Sequence, residues 1–205
     1  MRNRVEFGSF LTSLGLVGKG VEVGTYKGEF AKTILDSWAG VLYMVDTWRK
    51  FDNGEYEDIT NSSMSDHTMN DVQESIRGYE DRAFMLRGKS ELLVDLFDDN
   101  SLDFVYVDAN HSYESVKQDL DIWYPKIKSG GVLSGHDYIL FDGEKTRWYL
   151  DENFAEDGVN KHIWIDGMYV GLFGVNPAVD EFGLAKGLDI LVTDEWSSSW
   201  YLIKK

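Results

Sequence analysis

The sequence predicts an α/β fold, in which a doubly wound, mostly parallel sheet of about seven strands carries helices on both faces. Short apolar runs that suit buried parallel strands alternate with longer segments whose apolar residues recur at helical spacing. An acidic residue lies at the end of three of these runs, at Glu22, Asp46 and Asp108. Because the C-terminal ends of parallel strands meet at one edge of a sheet, we expect these acids to share a cleft.

The composition indicates one domain with a substantial core, spanning residues 1–205. A formal net charge of −16 opposes binding to phosphates, so a nucleic-acid partner is disfavoured. The absence of cysteine excludes a disulfide framework and thiol chemistry. No apolar run approaches the roughly 18 residues of a membrane span, so we expect a cytoplasmic protein with no membrane partner.

The first predicted unit is a strand, a glycine turn and a helix. Val21 and Val23 suit a buried strand, and Phe30 and Ile34 lie on one face of a helix predicted for Gly28–Trp38. Glycines let a backbone approach a ligand closely, and a helix start offers free N–H groups. This layout is typical of a nucleotide-cofactor site. An ordinary turn with glycines chosen for steric reasons is the alternative.

The glycine spacing selects among cofactors. A dinucleotide fingerprint needs glycine at three positions, and counted from Gly24 the second and third hold Tyr26 and Glu29. The Gly-Lys-Ser/Thr ending of a phosphate-binding P-loop is also absent. The pattern E-x-G-x-x-x-G of Glu22, Gly24 and Gly28 instead resembles motif I of the class I S-adenosylmethionine (SAM) methyltransferases, and especially their metal-dependent O-methyltransferase branch.

Further elements follow in regular order. Asp46, at the end of the second strand, is placed to hold a ribose diol, which suits either SAM or NAD. Ser90 is predicted to cap the helix that follows the third strand. The predicted elements of this part are a leading helix at Arg4–Leu14, strands at Val41–Asp46 and Arg82–Leu86, a long loop at Thr47–Asp66, and helices at Asp66–Tyr79 and Glu91–Phe97.

The stretch from Ser101 to Tyr138 is the most informative. It predicts a strand at Leu102–Val107 before Asp108, a helix at Ser112–Ile127 stopped by Ser129–Gly131, and a fifth strand at Val132–Gly135. The fifth strand delivers His136 and Asp137 at its end. We therefore expect the side chains that follow the fourth and fifth strands to converge in one cleft; they are Asp108, His111, His136 and Asp137.

The phrases D-x-x-H-S-Y-E and G-H-D-Y in this stretch resemble a bacterial family related to enzymes that methylate sugars and macrolide sugars. The order of Glu22, Asp46, Asp108 and Gly130–Gly131 is likewise typical of class I methyltransferases. This resemblance implies a Rossmann-like fold and a SAM-dependent transferase that methylates a hydroxyl group of a small, sugar-like acceptor. A non-catalytic SAM- or sugar-binding module and a nicotinamide-dependent oxidoreductase are the alternatives.

The resemblance also implies site residues. Those implied for the cofactor are Glu22, Gly24, Thr25, Tyr26, Gly28, Asp46, Thr47, Ser90 and Asp108. A hydroxyl acceptor must lose its proton to a base or to a metal that lowers its pKa. The catalytic candidates are Asp108, His111 and His136, and the metal-ligand candidates are Asp108, His136 and Asp137.

A histidine in that ligand set suits Mn²⁺, Fe²⁺ or Zn²⁺ better than Mg²⁺. Structural, hydrogen-bonded roles for His136 and Asp137 are the alternative to metal binding.

The C-terminal part predicts a helix at Val175–Gly187 and an antiparallel hairpin of Leu188–Thr193 and Ser199–Ile203, as in the methyltransferase sheet. Residues 139–174 then form an insertion after the fifth strand. Its position favours a wall or lid over the acceptor, and a small packing subdomain is the alternative. Its notable side chains are Trp148, Tyr149, His162, Trp164, Met168 and Tyr169. The acceptor's identity and the oligomeric state, a homo-oligomer included, stay open.

Overall fold

The computed structural model describes residues 1–49, 66–139, 155–157, 160–165, 168–195 and 197–205. The described strands are β1 (Lys19–Val23), β2 (Val41–Asp46), β3 (Ala83–Arg87), β4 (Leu102–Val107), β5 (Ile127–Tyr138), β6 (Ala155–Asp157), β7 (Asn160–Ile165), β8 (Met168–Phe173), β9 (Leu191–Val192) and β10 (Ser198–Ile203). The α-helices are α1 (Phe7–Ser13), α2 (Glu29–Ser37), α3 (Asp66–Ser75), α4 (Ser90–Leu93), α5 (Tyr113–Trp123) and α6 (Val175–Lys186).

The main sheet has seven strands in the order β3-β2-β1-β4-β5-β10-β9. Strands β1 to β5 pair in parallel, whereas β10 is antiparallel to both β5 and β9. The predicted Rossmann-like sheet with an antiparallel C-terminal hairpin is therefore confirmed. The strand order reverses between β1 and β4, and such a reversal opens a crevice at the C-terminal ends of the strands.

Two apolar layers cover the sheet. Strand β4 is buried along its whole length, and its side chains alternate between the two faces. Phe104 packs with Phe7 and Ile34 in the layer formed with α1 to α3, whereas Val105 packs with Leu120 in the layer formed with α5 and α6. Burial on both faces explains why this strand is a continuous apolar run in the sequence.

The end of α5 differs from the prediction. The helix ends at Trp123, and a 3-10 turn at Tyr124–Lys126 with Pro125 near its start leads directly into β5. Proline cannot continue an α-helix because it lacks the N–H group and its ring clashes with the preceding turn. Gly130 therefore does not stop a helix; it lies inside β5 with φ of 78°, near a register irregularity against β4.

Smaller differences concern element ends. The leading helix divides into a 3-10 turn at Arg4–Glu6 and α1, and the helix after the third strand divides into α4 and a 3-10 turn at Val94–Leu96. Helix α3 ends at Ser75, before the predicted Tyr79. Within the described ranges, no helix is both long and apolar enough to span a bilayer.

The segment after β5 contributes a second sheet. Strands β6, β7 and β8 pair antiparallel in that order. Trp148 and Tyr149 lie outside the described residues, as does most of the predicted loop after β2. The assignment of residues 139–174 as an insertion within a single domain stays a prediction.

Candidate active site

A cavity of about 480 Å³ opens at the C-terminal edge of the main sheet. Its walls come from residues at the ends of five strands, among them Glu22, Asp46, Ser90, Asp108 and Asp137. The structure therefore places the predicted strand-end acids Glu22, Asp46 and Asp108 in the wall of one cavity. Of the predicted cofactor residues, all but Gly28 line this cavity, and of the predicted catalytic residues all but His136 do so.

The glycine turn after β1 continues the hydrogen bonding of the sheet. The Gly24 N–H donates to the Val45 carbonyl at 2.8 Å, and the Asp108 N–H donates to the Val23 carbonyl at 2.7 Å. Gly24 has φ of 91°, and a Cβ atom there would lie 2.0 Å from the Asp108 carbonyl oxygen. Only glycine fits this position. Gly28, with φ of 78°, ends the turn at the N-cap of α2.

Asp46 is held by backbone donors. One carboxylate oxygen accepts from the Tyr26 N–H and the other from the Trp48 N–H, both at 2.8 Å. The Trp48 indole N–H in turn donates to the Tyr26 carbonyl at 2.8 Å. Burial raises the pKa of Asp46 above its ordinary value, and the hydrogen bonds from Trp48, Tyr26 and Thr47 oppose that rise. The turn thus fixes the direction of the Asp46 oxygens.

Glu22 is the most buried acid of the cavity wall, with 1% of its surface exposed. Burial raises its pKa to about 8; the Thr25 hydroxyl and Arg4 oppose the rise, and Asp108 adds to it. In the part of the chain that the structure describes, Oε2 of Glu22 has no hydrogen-bond partner. A buried polar atom without a partner calls for an explanation, and a ligand donor in the cavity supplies one.

The wall beyond β3 holds a small polar network. The Ser90 hydroxyl donates to Oδ1 of Asp119 at 2.6 Å and accepts from the Trp123 indole N–H at 2.7 Å. The predicted capping role of Ser90 is therefore wrong, because Lys89 occupies the N-cap position and the Ser90 hydroxyl is engaged with α5. Burial raises the pKa of Asp119 to about 7, and Glu91 contributes to the rise.

The reactive end of the cavity contains a cluster of titratable side chains. Nε2 of His111 lies 3.1 Å from Oδ2 of Asp137 and 3.6 Å from Oδ1 of Asp108. Nδ1 of His136 lies 3.1 Å from Oδ1 of Asp137 and 3.9 Å from Oδ1 of Asp108. The His111 ring stacks on Phe173 with centroids 4.9 Å apart, so β8 also supports the cluster.

The histidines keep Asp137 ionised. Burial by itself would raise the pKa of Asp137, but the nearby His111 and the hydrogen bond and charge of His136 outweigh it and lower the pKa well below its usual range. The Ser197 hydroxyl also donates to Asp137. Burial conversely lowers the pKa of His136, and the Asp137 and Asp108 carboxylates more than offset that effect, so the pKa is raised.

A potential metal site lies in this cluster. Among the described residues, Asp108, His111 and Asp137 offer ligand atoms that all lie within 4.8 Å of one another. Two carboxylates and one imidazole fit a divalent ion such as Mn²⁺, Fe²⁺ or Zn²⁺. The structure thus groups His111 with the two aspartates, whereas the sequence-based set contained His136. The ligand roles of all four residues stay predictions.

Sequence reasoning missed several residues of the cavity wall. The guanidinium of Arg4 lies 4.6 Å from the centre of the Phe30 ring, and its Nη1 lies 3.6 Å from Oδ2 of Asp108. No local signal marks Arg4, because its partners are far away in sequence. In the sequence, Asp119 cannot be distinguished from the other polar residues of an amphipathic helix. The missed cavity residues include Arg4, Lys27, Lys89, Asn110 and Asp119.

A doubly wound sheet with a glycine turn after β1 and an oriented acid after β2 defines a cofactor-binding α/β domain. Residues 21–138 match a family model described as a methyltransferase domain. Because this match covers more than half of the chain, the protein belongs to the methyltransferase domain family. A comparison with curated proteins finds no match.

Solved methyltransferase structures share the fold. A proposed caffeoyl-CoA O-methyltransferase from Staphylococcus aureus is 12% identical, with a TM-score of 0.65 over 98% of this chain and 82% of that chain. The O-methyltransferase from Bacillus cereus in complex with SAH is 11% identical, with a TM-score of 0.59 over 98% and 80%. The O-methyltransferase TomG from Streptomyces achromogenes in complex with SAM is 12% identical, with a TM-score of 0.58 over 98% and 79%.

Proposed function

We propose that this methyltransferase moves the methyl group of SAM to a hydroxyl oxygen of a small, sugar-like acceptor. The observation that carries the proposal is that one cavity holds both the glycine turn with its oriented Asp46 carboxylate and the cluster of Asp108, His111 and Asp137. The names of the structural neighbours from B. cereus and S. achromogenes, both O-methyltransferases with SAH or SAM bound, support the same reading.

The cavity wall suits the cofactor group by group. Asp46 has oxygens directed by the backbone, and would accept hydrogen bonds from the two ribose hydroxyls. Glu22 is buried beside the glycine turn with one unpartnered oxygen, and would accept from the cofactor's ammonium group. Ser90 follows β3, next to the end of β2 that carries Asp46, and its partner Asp119 comes from α5; this part of the wall would face the adenine.

When bound, SAM supplies a methyl group on a sulfonium that is already a good leaving group, so the protein mainly positions and orients. The chain's own task is to remove the proton of the acceptor hydroxyl. His111 lies in the cavity wall with Asp137 beside its Nε2. It would take the proton as a general base, and Asp137 would stabilise the resulting imidazolium.

The cluster fits a divalent cation as well as a base. Asp108, His111 and Asp137 would hold the ion, and its chemistry would be to lower the pKa of a hydroxyl bound to it. His111 would then be a ligand and no longer free to accept a proton. The two arrangements predict opposite responses to a chelator, which makes them separable.

The segment after β5 is proposed as the wall of the acceptor site. It leaves the main sheet directly after Asp137 and Tyr138, and it returns at Phe173, whose ring stacks on His111. The Gly174 N–H donates to the His111 carbonyl at 2.7 Å, which ties the end of β8 to the cluster. An aromatic surface beside the reactive groups suits the C–H face of a sugar.

The net charge of −16 supports a small-molecule acceptor over a nucleic acid, because phosphates would be repelled. The expected cytoplasmic location stays a prediction. The test of the function is to incubate the protein with SAM and a panel of hydroxylated sugars, and to measure SAH release and a mass gain of one methyl group in the acceptor. Saturating SAM that leaves the melting temperature unchanged, together with a clear shift by NAD, would overturn the proposal.

A further inference from the structure

We infer that Arg4 binds the carboxylate of the cofactor's amino-acid part, and that the N-terminal segment is thereby part of the cofactor site. This inference rests on the proposed function, because it assigns a role within the same cavity. It concerns a residue that lies outside the stretch matched by the family model, which begins at residue 21.

The Arg4 guanidinium has unused hydrogen-bonding capacity. It lies against the Phe30 ring, and its Nη1 is 3.6 Å from Oδ2 of Asp108, which is longer than a hydrogen bond. Within the described residues, the guanidinium makes no hydrogen bond, although it carries five N–H donors. Its side chain is 30% exposed and lines the cavity. The guanidinium can therefore donate hydrogen bonds to an anionic group of a ligand.

The charges of the cavity wall favour a cation at this end. Acids outnumber cations in the wall, and those that are ionised, Asp137 among them, would repel a carboxylate wherever no cation lies nearby. The two lysines of the wall have partners of their own, since Lys89 pairs with Glu91 at 3.8 Å and Nζ of Lys27 lies 5.3 Å from the centre of the Tyr26 ring. The wall acids are Glu22, Glu29, Asp46, Glu91, Asp108, Asp119 and Asp137.

The order of the strands fixes which part of the cofactor reaches Arg4. Along the sheet edge the ends of β3, β2, β1 and β4 follow one another, and they carry Ser90, Asp46, Glu22 and Asp108. With the adenine at Ser90 and the ribose at Asp46, the amino-acid part extends to Glu22 and Asp108. Arg4 lies at this end, so Glu22 would meet the ammonium group and Arg4 the carboxylate. A guanidinium binds a carboxylate through two parallel hydrogen bonds.

The backbone around Arg4 is fixed before any ligand arrives. The Arg4 N–H donates to Oε1 of Glu195 at 2.7 Å, and the Asp194 N–H donates to the Arg2 carbonyl at 2.9 Å. The N-terminal segment is thus bound to the turn between β9 and β10. Pre-organisation of this kind reduces the entropy that a ligand must lose to order its binding groups.

Calorimetric titration with SAM and with decarboxylated SAM tests the inference. Decarboxylated SAM keeps the adenosyl and ammonium groups but lacks the carboxylate. In the unmodified protein we expect SAM to bind about 10- to 100-fold more tightly than decarboxylated SAM, the range for one charge-assisted interaction. Arg4→Met keeps an apolar stem over Phe30, and we expect it to remove this difference by weakening SAM binding alone. The matched control is Arg2→Met, because Arg2 is exposed and pairs only with Glu6 among the described side chains.

Each other outcome has a definite meaning. Equal affinity of the unmodified protein for the two ligands overturns the inference without any variant, so a failure of Arg4→Met to fold cannot rescue it. Equal weakening of both ligands by Arg4→Met assigns Arg4 a packing role only. Unchanged SAM binding with a raised KM for the acceptor assigns it to the acceptor and also overturns the inference. Failure of the unmodified protein to bind either ligand would instead refute the proposed function.

Discussion

The cavity has a cofactor end, with Glu22, Asp46 and Asp119, and a reactive end, with Asp108, His111 and Asp137. The pKa values of buried acids are shifted in opposite directions at these two ends. At the cofactor end, burial raises the pKa of Glu22 to about 8 and that of Asp119 to about 7. At the reactive end, Asp137 is also buried, yet two histidines lower its pKa well below the usual range. Burial is common to both ends, so the hydrogen bonds and charges beside each acid decide whether its pKa is raised or lowered. Glu22 and Asp119 therefore keep their protons up to about neutral pH in the protein without ligand, whereas Asp137 stays ionised.

The two ends are also assembled differently. Asp46 takes its direction from backbone N–H groups of a turn that lies close to it in sequence. Asp108, His111 and Asp137 instead hold one another through side chains. We expect the first arrangement to survive most side-chain changes nearby. In the second, loss of the Asp137 charge removes one of the carboxylates that raise the pKa of His136.

The largest expected effect is that of Asp137→Asn, which removes the charge on which the reactive end depends. We expect turnover to fall about 1,000-fold, the middle of the range for acid–base assistance, while the Kd for SAH stays within about threefold. Single-turnover kinetics and calorimetry measure the two quantities. Ser197→Ala is the control, since it removes one hydrogen bond to Asp137 and leaves the charge. Turnover of the asparagine variant close to that of the unmodified protein would place the chemistry elsewhere.

Treatment of the unmodified protein with a chelator shows whether the reactive end works through a metal ion or through a base. Loss of turnover in EDTA with recovery in Mn²⁺ would assign the cluster to a metal, and full turnover in EDTA would assign it to His111 as the base.

The next effect concerns stability at the cofactor end. In the unfolded chain Asp119 has an ordinary pKa near 4, so between about pH 4 and pH 7 the unfolded state loses a proton that the folded state keeps. The cost to folding is thus absent below about pH 4 and complete above about pH 7. Asp119→Asn removes it, and we expect the free energy of unfolding to rise by about 2–4 kcal/mol at pH 8 with no gain at pH 4.

Urea unfolding at both pH values measures the difference. Asp121→Asn, an exposed change on the same helix, is the matched control. An equal gain for Asp119→Asn at both pH values would show that the pKa of Asp119 is not raised by folding.

The third effect concerns Asp46, the acid held by backbone N–H groups, and its contribution to cofactor binding. Saturation with SAH at a hundredfold excess over Kd stabilises the fold by about 2.7 kcal/mol, which corresponds to a melting shift of roughly 5–10 °C for a chain of this size. Asp46→Ala should abolish most of that shift, because the ribose loses its acceptor. Differential scanning fluorimetry at matched ligand concentration measures it. A full shift in the alanine variant would remove Asp46 from the cofactor site.

The smallest expected effect is that of His136→Asn. His136 does not line the cavity, and its Nδ1 lies 3.9 Å from Asp108. We therefore expect turnover to fall less than about 10-fold, compared with about 1,000-fold for His111→Asn, the parallel substitution at the histidine that lines the cavity. Steady-state kinetics of the pair decides between them. The reverse ranking would restore His136 as the principal histidine, as the sequence-based ligand set has it.

The sequence predicts those parts of the site that depend on neighbouring residues. Gly24 and Asp46 are recognisable because the turn that needs a glycine and the strand that ends in an acid are local patterns. The end of α5 could also have been predicted, because Pro125 marks it. Gly130 and Gly131 carry a stronger turn signal, and the predicted helix end was therefore placed too late in the sequence.

Contacts distant in sequence were not predictable. Asp119 and Ser90 are 29 residues apart, and only the packing of α5 beside α4 joins them. Phe173 reaches His111 because β8 returns to the sheet edge, which no periodicity in the sequence indicates. The choice between His111 and His136 depends on side-chain directions after β4 and β5, and these follow from tertiary packing. The position of the site can be predicted from the strand ends in the sequence. The contacts between side chains within the site can be known only from the three-dimensional fold.

The hydrogen bond from Arg4 to Glu195 joins residues 191 positions apart. Contacts of such long range form late, because the chain must first close a large loop. During synthesis on the ribosome, the segment around Arg4 emerges 191 residues before its anchor at Glu195. The glycine turn and the Asp46 wall consist of residues that are synthesised well before Glu195, which holds the Arg4 backbone in place. Affinity for the cofactor's amino-acid part would then be gained only as the hairpin of β9 and β10 docks.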